Sequence, residues 1–134
     1  MADRYLALKT VMMPRDTNPH GTIFGGVLLS QMDQAGAIGA QWEISRRTHH
    51  VPVLVTVAMN RVEFHHPVLV GDVVNYWTQL LKIGRTSITM HVDVEVERDG
   101  RTIKVTEADV VYVAIAETPS GRQPVPIFPE GCNR

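Results

Sequence analysis

Three residue types converge within the segment Asp16-Thr-Asn-Pro-His-Gly-Thr-Ile-Phe-Gly-Gly-Val-Leu-Leu-Ser-Gln-Met-Asp33. Asn18 lies in a turn-rich stretch, Gly25-Gly26 opens a helical pattern, and Asp33 follows about two turns later. Free amides at a helix N-terminus carry partial positive charge and suit a developing oxyanion. Glycine there lets a ligand carbonyl approach the backbone closely. The helical neighbours of Asp33 at i−4, i+4 and i+7 are Leu29, Ala37 and Ala40, none of which can neutralise a carboxylate. Partial burial on such a face would sharpen Asp33 as a base or nucleophile. Asn18 could orient water or donate to a leaving group, although Asn before Pro is also ordinary turn chemistry. Together these parts can polarise a carbonyl and attack or hydrate it.

The spacing adds a constraint. Gly25 and Asp33 are eight residues apart, so along one helix they are separated by roughly 12 Å. Reacting atoms must approach to about 3 Å, and one carbonyl cannot touch both within one chain. If both serve one reaction, two copies of the chain must supply them.

Other candidates are less pointed. Leu81-Lys-Ile-Gly-Arg-Thr-Ser-Ile88 reads as a strand end, a turn at Gly84, then Arg85, Thr86 and Ser87. Backbone amides with that guanidinium and those hydroxyls would make a local phosphate cradle, and a solvated hairpin is the plainer alternative. His49-His50 and His65-His66 suggest a metal, but adjacent residues on a strand point to opposite faces. No His/Cys/Asp set has ligand spacing along the chain, so no metal site is expected.

The elements that must position these groups are legible in the periodicity. Residues 5–13 form a short apolar strand, and the loop 14–23 follows, with Thr22 a possible cap for the next helix. A helix runs from Phe24 to about Ile44, with Leu28, Met32, Ala35 and Trp42 on one stripe and Leu29, Asp33, Ala37 and Ala40 on the neighbouring one. Its small residues (Ala35-Gly-Ala, then Gly39-Ala40) disfavour an isolated helix and make sense where a sheet wraps it closely. Strands follow at Val51 to Phe64, Val73 to Ile83, Ile88 to about Glu97, and Arg101 to Ala116. In the third of these, Ile88, Met90, Val92, Val94 and Val96 alternate with polar residues, so one face is wet. Asp99-Gly100 is a type I′ hairpin signal. The tail from Pro119 contains four prolines and reads as coil packed on the surface. One domain over residues 1–118, with a tail over 119–134, is the expected organisation. The fold class is α+β: one buried helix cradled by a curved antiparallel sheet. Such a sheet has edges to cover, and dimerisation through edge strands is the expected remedy.

Composition narrows the classes. The 134 residues, 44% hydrophobic and 20% charged, can build a core. A formal net charge of −1 gives no field for nucleic acid. No stretch of about 18 apolar residues is present to span a membrane, and the N-terminus lacks the apolar core of a signal peptide. The single cysteine, Cys132, has no partner within the chain. A soluble cytoplasmic protein is expected.

These motifs, in this order, resemble the hotdog-fold acyl-CoA thioesterases, in the branch holding cytosolic acyl-CoA hydrolase, the brown-fat-inducible thioesterase and small bacterial YciA-like acyl-CoA hydrolases. The resemblance rests on MMPRDTNPHGTIFGGVLLSQMDQAGAI, NRVEFHHPVLVGDVV and LKIGRTSI. It implies hydrolysis of a (fatty) acyl-CoA to free acid and CoA, with no cofactor beyond the CoA of the substrate. It implies Asp33 as the catalytic carboxylate, Asn18 from the opposite subunit, and Gly25 with Gly26 beside it as the amide site for the thioester oxygen. Gly84, Arg85, Thr86 and Ser87 match the turn near the CoA phosphates. Homodimers assembled into tetramers or hexamers (trimers of dimers) are the family's habit. His20 and His66 stand where such relatives carry various residues. Side chains such as Val57, Met59 and Trp77 are candidates to close the acyl tunnel. Two other classes fit less well. A hydratase or dehydratase of the same fold would pair His20 with Asp33, thirteen residues on, but such enzymes favour Glu there. A non-catalytic acyl-CoA sensor would need no desolvated Asp33.

Overall fold

The computed structural model describes residues 3–128. In chain order the elements are β1 (Tyr5–Val11), a 3-10 turn (Pro14–Asp16), α1 (Gly25–Ser45), β2 (Val53–Phe64), β3 (Val73–Ile83), β4 (Ser87–Arg98), β5 (Arg101–Thr118) and β6 (Gly121–Pro124). The sheet is antiparallel in the order β1-β3-β4-β5-β2, with β6 on β5. Alternation along β4 decides which face is covered. Ile88, Met90, Val92, Val94 and Val96 are fully buried and join Leu28, Met32, Ala35, Ala40 and Ile44 of α1 in one core. The β4–β5 hairpin turns at Asp99 and Gly100, with φ of 52° and 74°, the paired left-handed conformation a type I′ turn requires.

Small residues let the helix lie against the sheet, as their clustering suggested. A Cβ on Gly36 would stand 2.2 Å from the Tyr112 hydroxyl, and one on Gly39 would stand 2.7 Å from the Thr78 Cβ. That closeness allows the Tyr112 hydroxyl to donate to the Asp33 carbonyl at 2.7 Å.

Two local expectations are corrected. Thr22 does not cap α1: the helix begins at Gly25, so the N-cap position falls to Phe24, which makes no side-chain hydrogen bond, and the Thr22 hydroxyl accepts instead from the Asn18 side-chain amide at 2.8 Å. Nor is the segment after Thr118 surface coil. Gly121–Pro124 pairs with Ile115 to Thr118, and Ile127 and Phe128 are buried in the core. Proline tolerates this edge position because its missing N–H is not needed there. Cys132 lies outside the described residues.

β2 is an edge strand whose ladder partner is β5 alone. Val53, Val57 and Phe64 on it are 64%, 55% and 53% exposed, an apolar edge of the kind that pairs with another strand.

On the outer face of β4 and β5, cross-strand pairing assembles a charge network. His91 Nδ1 lies 2.7 Å from Asp109 and Nε2 lies 3.0 Å from Asp93, with Glu107 at 3.5 Å. Lys104 bridges Asp93 and Glu107 at 3.0 and 3.1 Å. The hydrogen bond to Asp93, helped by Asp109 and opposed by burial, pushes His91 up to about 9. Burial alone would raise Asp93, but His91 and Lys104 hold it down at about 2.

Two predictions follow from these contacts. Gly39→Ala should lower stability by about 1–3 kcal/mol through overpacking against Thr78, read as a reduced denaturation midpoint with an unchanged m-value. Because the folded pKa of His91 is raised, its stabilising contribution is complete below the ordinary value of about 6.5 and disappears as pH rises through about 9. Wild-type Tm should therefore fall between about pH 7 and 9 more than that of His91→Gln. An imidazole that titrates by NMR near its ordinary value would contradict this.

Candidate active site

The loop before α1 is organised by Asn18. Its Oδ1 accepts from the backbone N–H groups of His20 (2.9 Å) and Thr22 (3.2 Å), and its Nδ2 donates to the Thr22 hydroxyl. Backbone bonds Asn18 N–H to Thr22 carbonyl and Phe24 N–H to Asp16 carbonyl, both 2.8 Å, close the loop onto the helix start. The Asn18 oxygen is thus committed to folding, and one amide hydrogen remains for a ligand. His20 is exposed, held through its backbone rather than its ring.

Gly25 and Gly26 are the first two residues of α1, so neither N–H has an acceptor one turn back. The structure separates their duties. A Cβ on Gly26 would stand 2.5 Å from the Phe24 ring, whereas one on Gly25 would meet only Phe64, at 3.6 Å. Gly25 borders an open cleft of about 340 Å³, lined also by Ile23, Leu28, Phe64, His65, His66, Pro67 and Val68. Gly26 lies under Phe24 and outside that lining.

Asp33 is half-buried on α1. The Thr56 hydroxyl, on the exposed edge strand β2, donates to Asp33 Oδ1 at 2.7 Å. Thr56 is the donor seen on Oδ1, and the Tyr112 phenol stands close enough to the carboxylate to be perturbed by it. Thr56 is a site residue the sequence reading missed. A threonine in a strand carries no signal by itself, and only the packing of α1 on β2 reveals that its hydroxyl meets the carboxylate. The phenol of Tyr112, whose pKa is raised by burial and then by Asp33, stays protonated and holds the Asp33 backbone.

The two halves sit at different places on one free edge. Asp33 is attached to β2 at Thr56 and Gly25 faces β2 at Phe64, eight residues further along that strand. A single chain therefore does not bring Asp33 to Gly25 and Asn18.

The turn Gly84 to Ser87 closes β3 onto β4. Gly84 N–H donates to the Ser87 carbonyl at 2.8 Å, and the Arg85 and Thr86 carbonyls accept from Ile127 and Ala114 at 2.9 and 2.8 Å. Arg85 is exposed, and no carboxylate pairs with it among the described residues. The C-terminal segment, missed as structure, buttresses this turn through Ile127.

Of the suggested tunnel residues, Val57 is exposed and Met59 half-buried. Trp77 lies on the sheet face opposite α1, between the buried Tyr76 and Thr78, with the Arg4 guanidinium stacked 4.3 Å from its ring. It does not line the cleft. Spacing along the chain offered no metal-ligand set, yet register supplies two groupings, Glu63-His65-Glu107 and His91-Asp93-Glu107. In the second, both ring nitrogens face carboxylates and the imidazole is cationic. In the first, Lys104 already neutralises Glu107. Among the described residues, the second grouping is an ion-pair network, and in the first His65 hydrogen-bonds Glu107 at 2.8 Å.

Comparison with known proteins agrees with this architecture. Residues 20–103 match the thioesterase superfamily. The acyl-CoA thioester hydrolase YciA of Salmonella typhimurium is 41% identical over 128 residues, covering 91% of this chain and 90% of that protein. YciA of Escherichia coli K12 is 41% identical over 115 residues, with 82% and 83% covered. Among solved structures, the hexameric thioesterase y2039 from Yersinia pestis superposes with a TM-score of 0.79 at 40% identity, covering 93% of this chain and 96% of that one. Cj0915, a hexameric hotdog fold thioesterase of Campylobacter jejuni, gives 0.77 at 41% identity, covering 92% and 90%. With an antiparallel sheet cradling one helix, and these relatives matched along nearly their whole length, the chain belongs to the thioesterase superfamily, in its hotdog-fold branch of YciA-like acyl-CoA thioester hydrolases.

Proposed function

We propose that this protein hydrolyses acyl-CoA thioesters to a free carboxylic acid and CoA at a site shared between two copies of the chain. The observation that carries the reading is the pairing of a Thr56-anchored Asp33 at one place on the free β2 edge with an unpaired Gly25 amide at another. A partner chain pairing antiparallel along β2 would set the Asp33 of one copy against the Gly25 and Asn18 of the other. A two-fold axis near Asn60, midway between Thr56 and Phe64, meets that requirement.

The thioester oxygen accepts a hydrogen bond from Gly25 N–H, whose helix-terminal charge stabilises the oxyanion as it forms. Thr56 fixes Oδ1 of Asp33, so Oδ2 faces the carbonyl carbon. As general base it removes a proton from water while the hydroxyl adds. As nucleophile it adds itself, giving a mixed anhydride that water then opens. In either route the C–S bond breaks, CoA leaves as thiolate and takes up a proton. The remaining Asn18 amide hydrogen is positioned to donate to the oxyanion or the departing sulfur. The turn of Gly84, Arg85, Thr86 and Ser87, with an unpaired guanidinium, fits the anionic end of CoA. Gly26 serves mainly to admit Phe24. Relatives described as hexameric support a trimer of dimers as the assembly. A hydratase using His20 has less support, since that ring is exposed and Asn18 engages only its backbone.

Thiol release from acyl-CoAs of graded length tests the activity, and Asp33→Ala should lower kcat by at least about 10²-fold while leaving the oligomer intact. Near-wild-type kcat in that variant would remove Asp33 from the reaction. Thr56→Val should cost about 10-fold or more in kcat, as expected for losing a hydrogen bond to a charged group, with Thr56→Ser largely restoring it. Subunit sharing has its own signature. Co-expressing Asp33→Ala with Asn18→Ala, each inactive alone, should regain about a quarter of wild-type activity, because mixed dimers carry one intact site. No recovery in demonstrably mixed dimers would place both residues in one chain's site.

A further inference from the structure

The cleft beside Gly25 has a floor and a rim of different character. Ile23, Leu28 and Val68 form the floor and are 5%, 2% and 2% exposed. The backbone polar groups beneath are already used: Ile23 N–H donates to the Val68 carbonyl at 2.8 Å, and the His65 and His66 N–H groups donate to the Val105 carbonyl at 2.7 and 3.3 Å. His65 is engaged outward by Glu107 at 2.8 Å. A ligand segment lying on that floor meets the hydrocarbon of Ile23, Leu28 and Val68, while the polar groups of the lining, the Gly25 amide and the His66 ring, stand at its rim. Pantetheine carries two amides that would lose water there without replacement, at a cost an alkyl chain does not incur. The cleft therefore suits the acyl side of the substrate.

Phe64 stands at its rim. It is the last residue of β2, 53% exposed, and its ring edge lies 3.6–3.7 Å from the point a Gly25 Cβ would occupy. The ring thus stands beside Gly25, and an acyl chain running from a carbonyl held at that amide toward the floor would pass it.

We infer that Phe64 is a specificity-determining residue, a gate whose ring limits the length and bulk of acyl group admitted past Gly25. The inference rests on the thioesterase reading above. Phe64 touches substrate without taking part in bond making, so its removal shifts preference rather than abolishing chemistry.

The test is kcat/KM for thiol release from acetyl- to palmitoyl-CoA and one branched acyl-CoA, with wild type, Phe64→Leu and Phe64→Ala, each checked for the wild-type oligomeric state. The optimum should move to longer or bulkier acyl groups in the order wild type, Leu, Ala, with the ratio of long- to short-chain kcat/KM rising about tenfold, the scale on which hydrophobic pockets discriminate. An unchanged profile, or an equal loss at every chain length, would overturn the gate while leaving the hydrolase assignment standing. No thiol release by wild type from any acyl-CoA would instead overturn the assignment on which the gate rests.

Discussion

A hydrogen bond from the Tyr112 hydroxyl to the Asp33 carbonyl, 2.7 Å long, fixes much of what this protein can do. It exists because Gly36 has no side chain. A methyl group there would occupy the phenol's place. Burial keeps that phenol protonated, so the donor is permanent. One backbone carbonyl in the third turn of α1 is thereby tied to the middle of β5, setting how far the helix slides along the sheet. Thr78 against Gly39 sets the same distance one turn on. With the slide fixed, the Asp33 side chain reaches Thr56 and the helix N-terminus reaches Phe64. Each half of the site follows from packing that has no chemical role of its own.

The same packing keeps the halves apart. A helix long enough to bury Leu28, Met32, Ala35, Ala40 and Ile44 cannot present its N-terminal amides and its third-turn carboxylate to one atom. β2 resolves the conflict by remaining unpaired on its outer edge. An exposed apolar edge is a liability in a monomer, and here it is where both halves are displayed. Arg61 on that edge adopts φ of 57° within an irregular stretch between Asn60 and Glu63. Such a bulge twists the strand locally, restricting how a second copy can align.

Much of this was legible in the residues, for a physical reason. Strand alternation and hairpin chemistry are local properties, so Val73–Ile83 and the Asp99-Gly100 turn are readable within their own windows. The carboxylate at Asp33 was readable because it interrupts an apolar helical face. What escaped depends on partners distant in sequence. Thr56 lies 23 residues from Asp33, and nothing in its neighbourhood distinguishes it from other strand threonines. The His91 network requires knowing that Asp109 and Glu107 stand across from His91 and Asp93. The C-terminal strand was hidden by its prolines, which argue against a ladder only where a donor is needed. Thr22 looked like a cap because its type was right, but the helix begins at Gly25 and the Thr22 hydroxyl accepts from Asn18 instead.

That competition in the loop bears on which group can handle water. Both acceptor positions of Asn18 Oδ1 are taken by N–H groups of the loop it folds, so Asn18 can donate to a ligand but cannot accept from one. The helix N-terminus likewise offers only donors, since Phe24 caps it without a side-chain oxygen. A water that is to lose a proton needs an acceptor. Around the proposed shared site, the carboxylate of Asp33 is such an acceptor: Thr56 donates to Oδ1 and orients the group, and its remaining lone pairs can still accept. In the proposed reaction, the loop and helix terminus would stabilise negative charge and the carboxylate would generate it. On the proposed reading, this division of donors and acceptors makes the contribution of two chains more than a geometric convenience: each copy would bring to the carbonyl what the other copy's fold has placed out of reach.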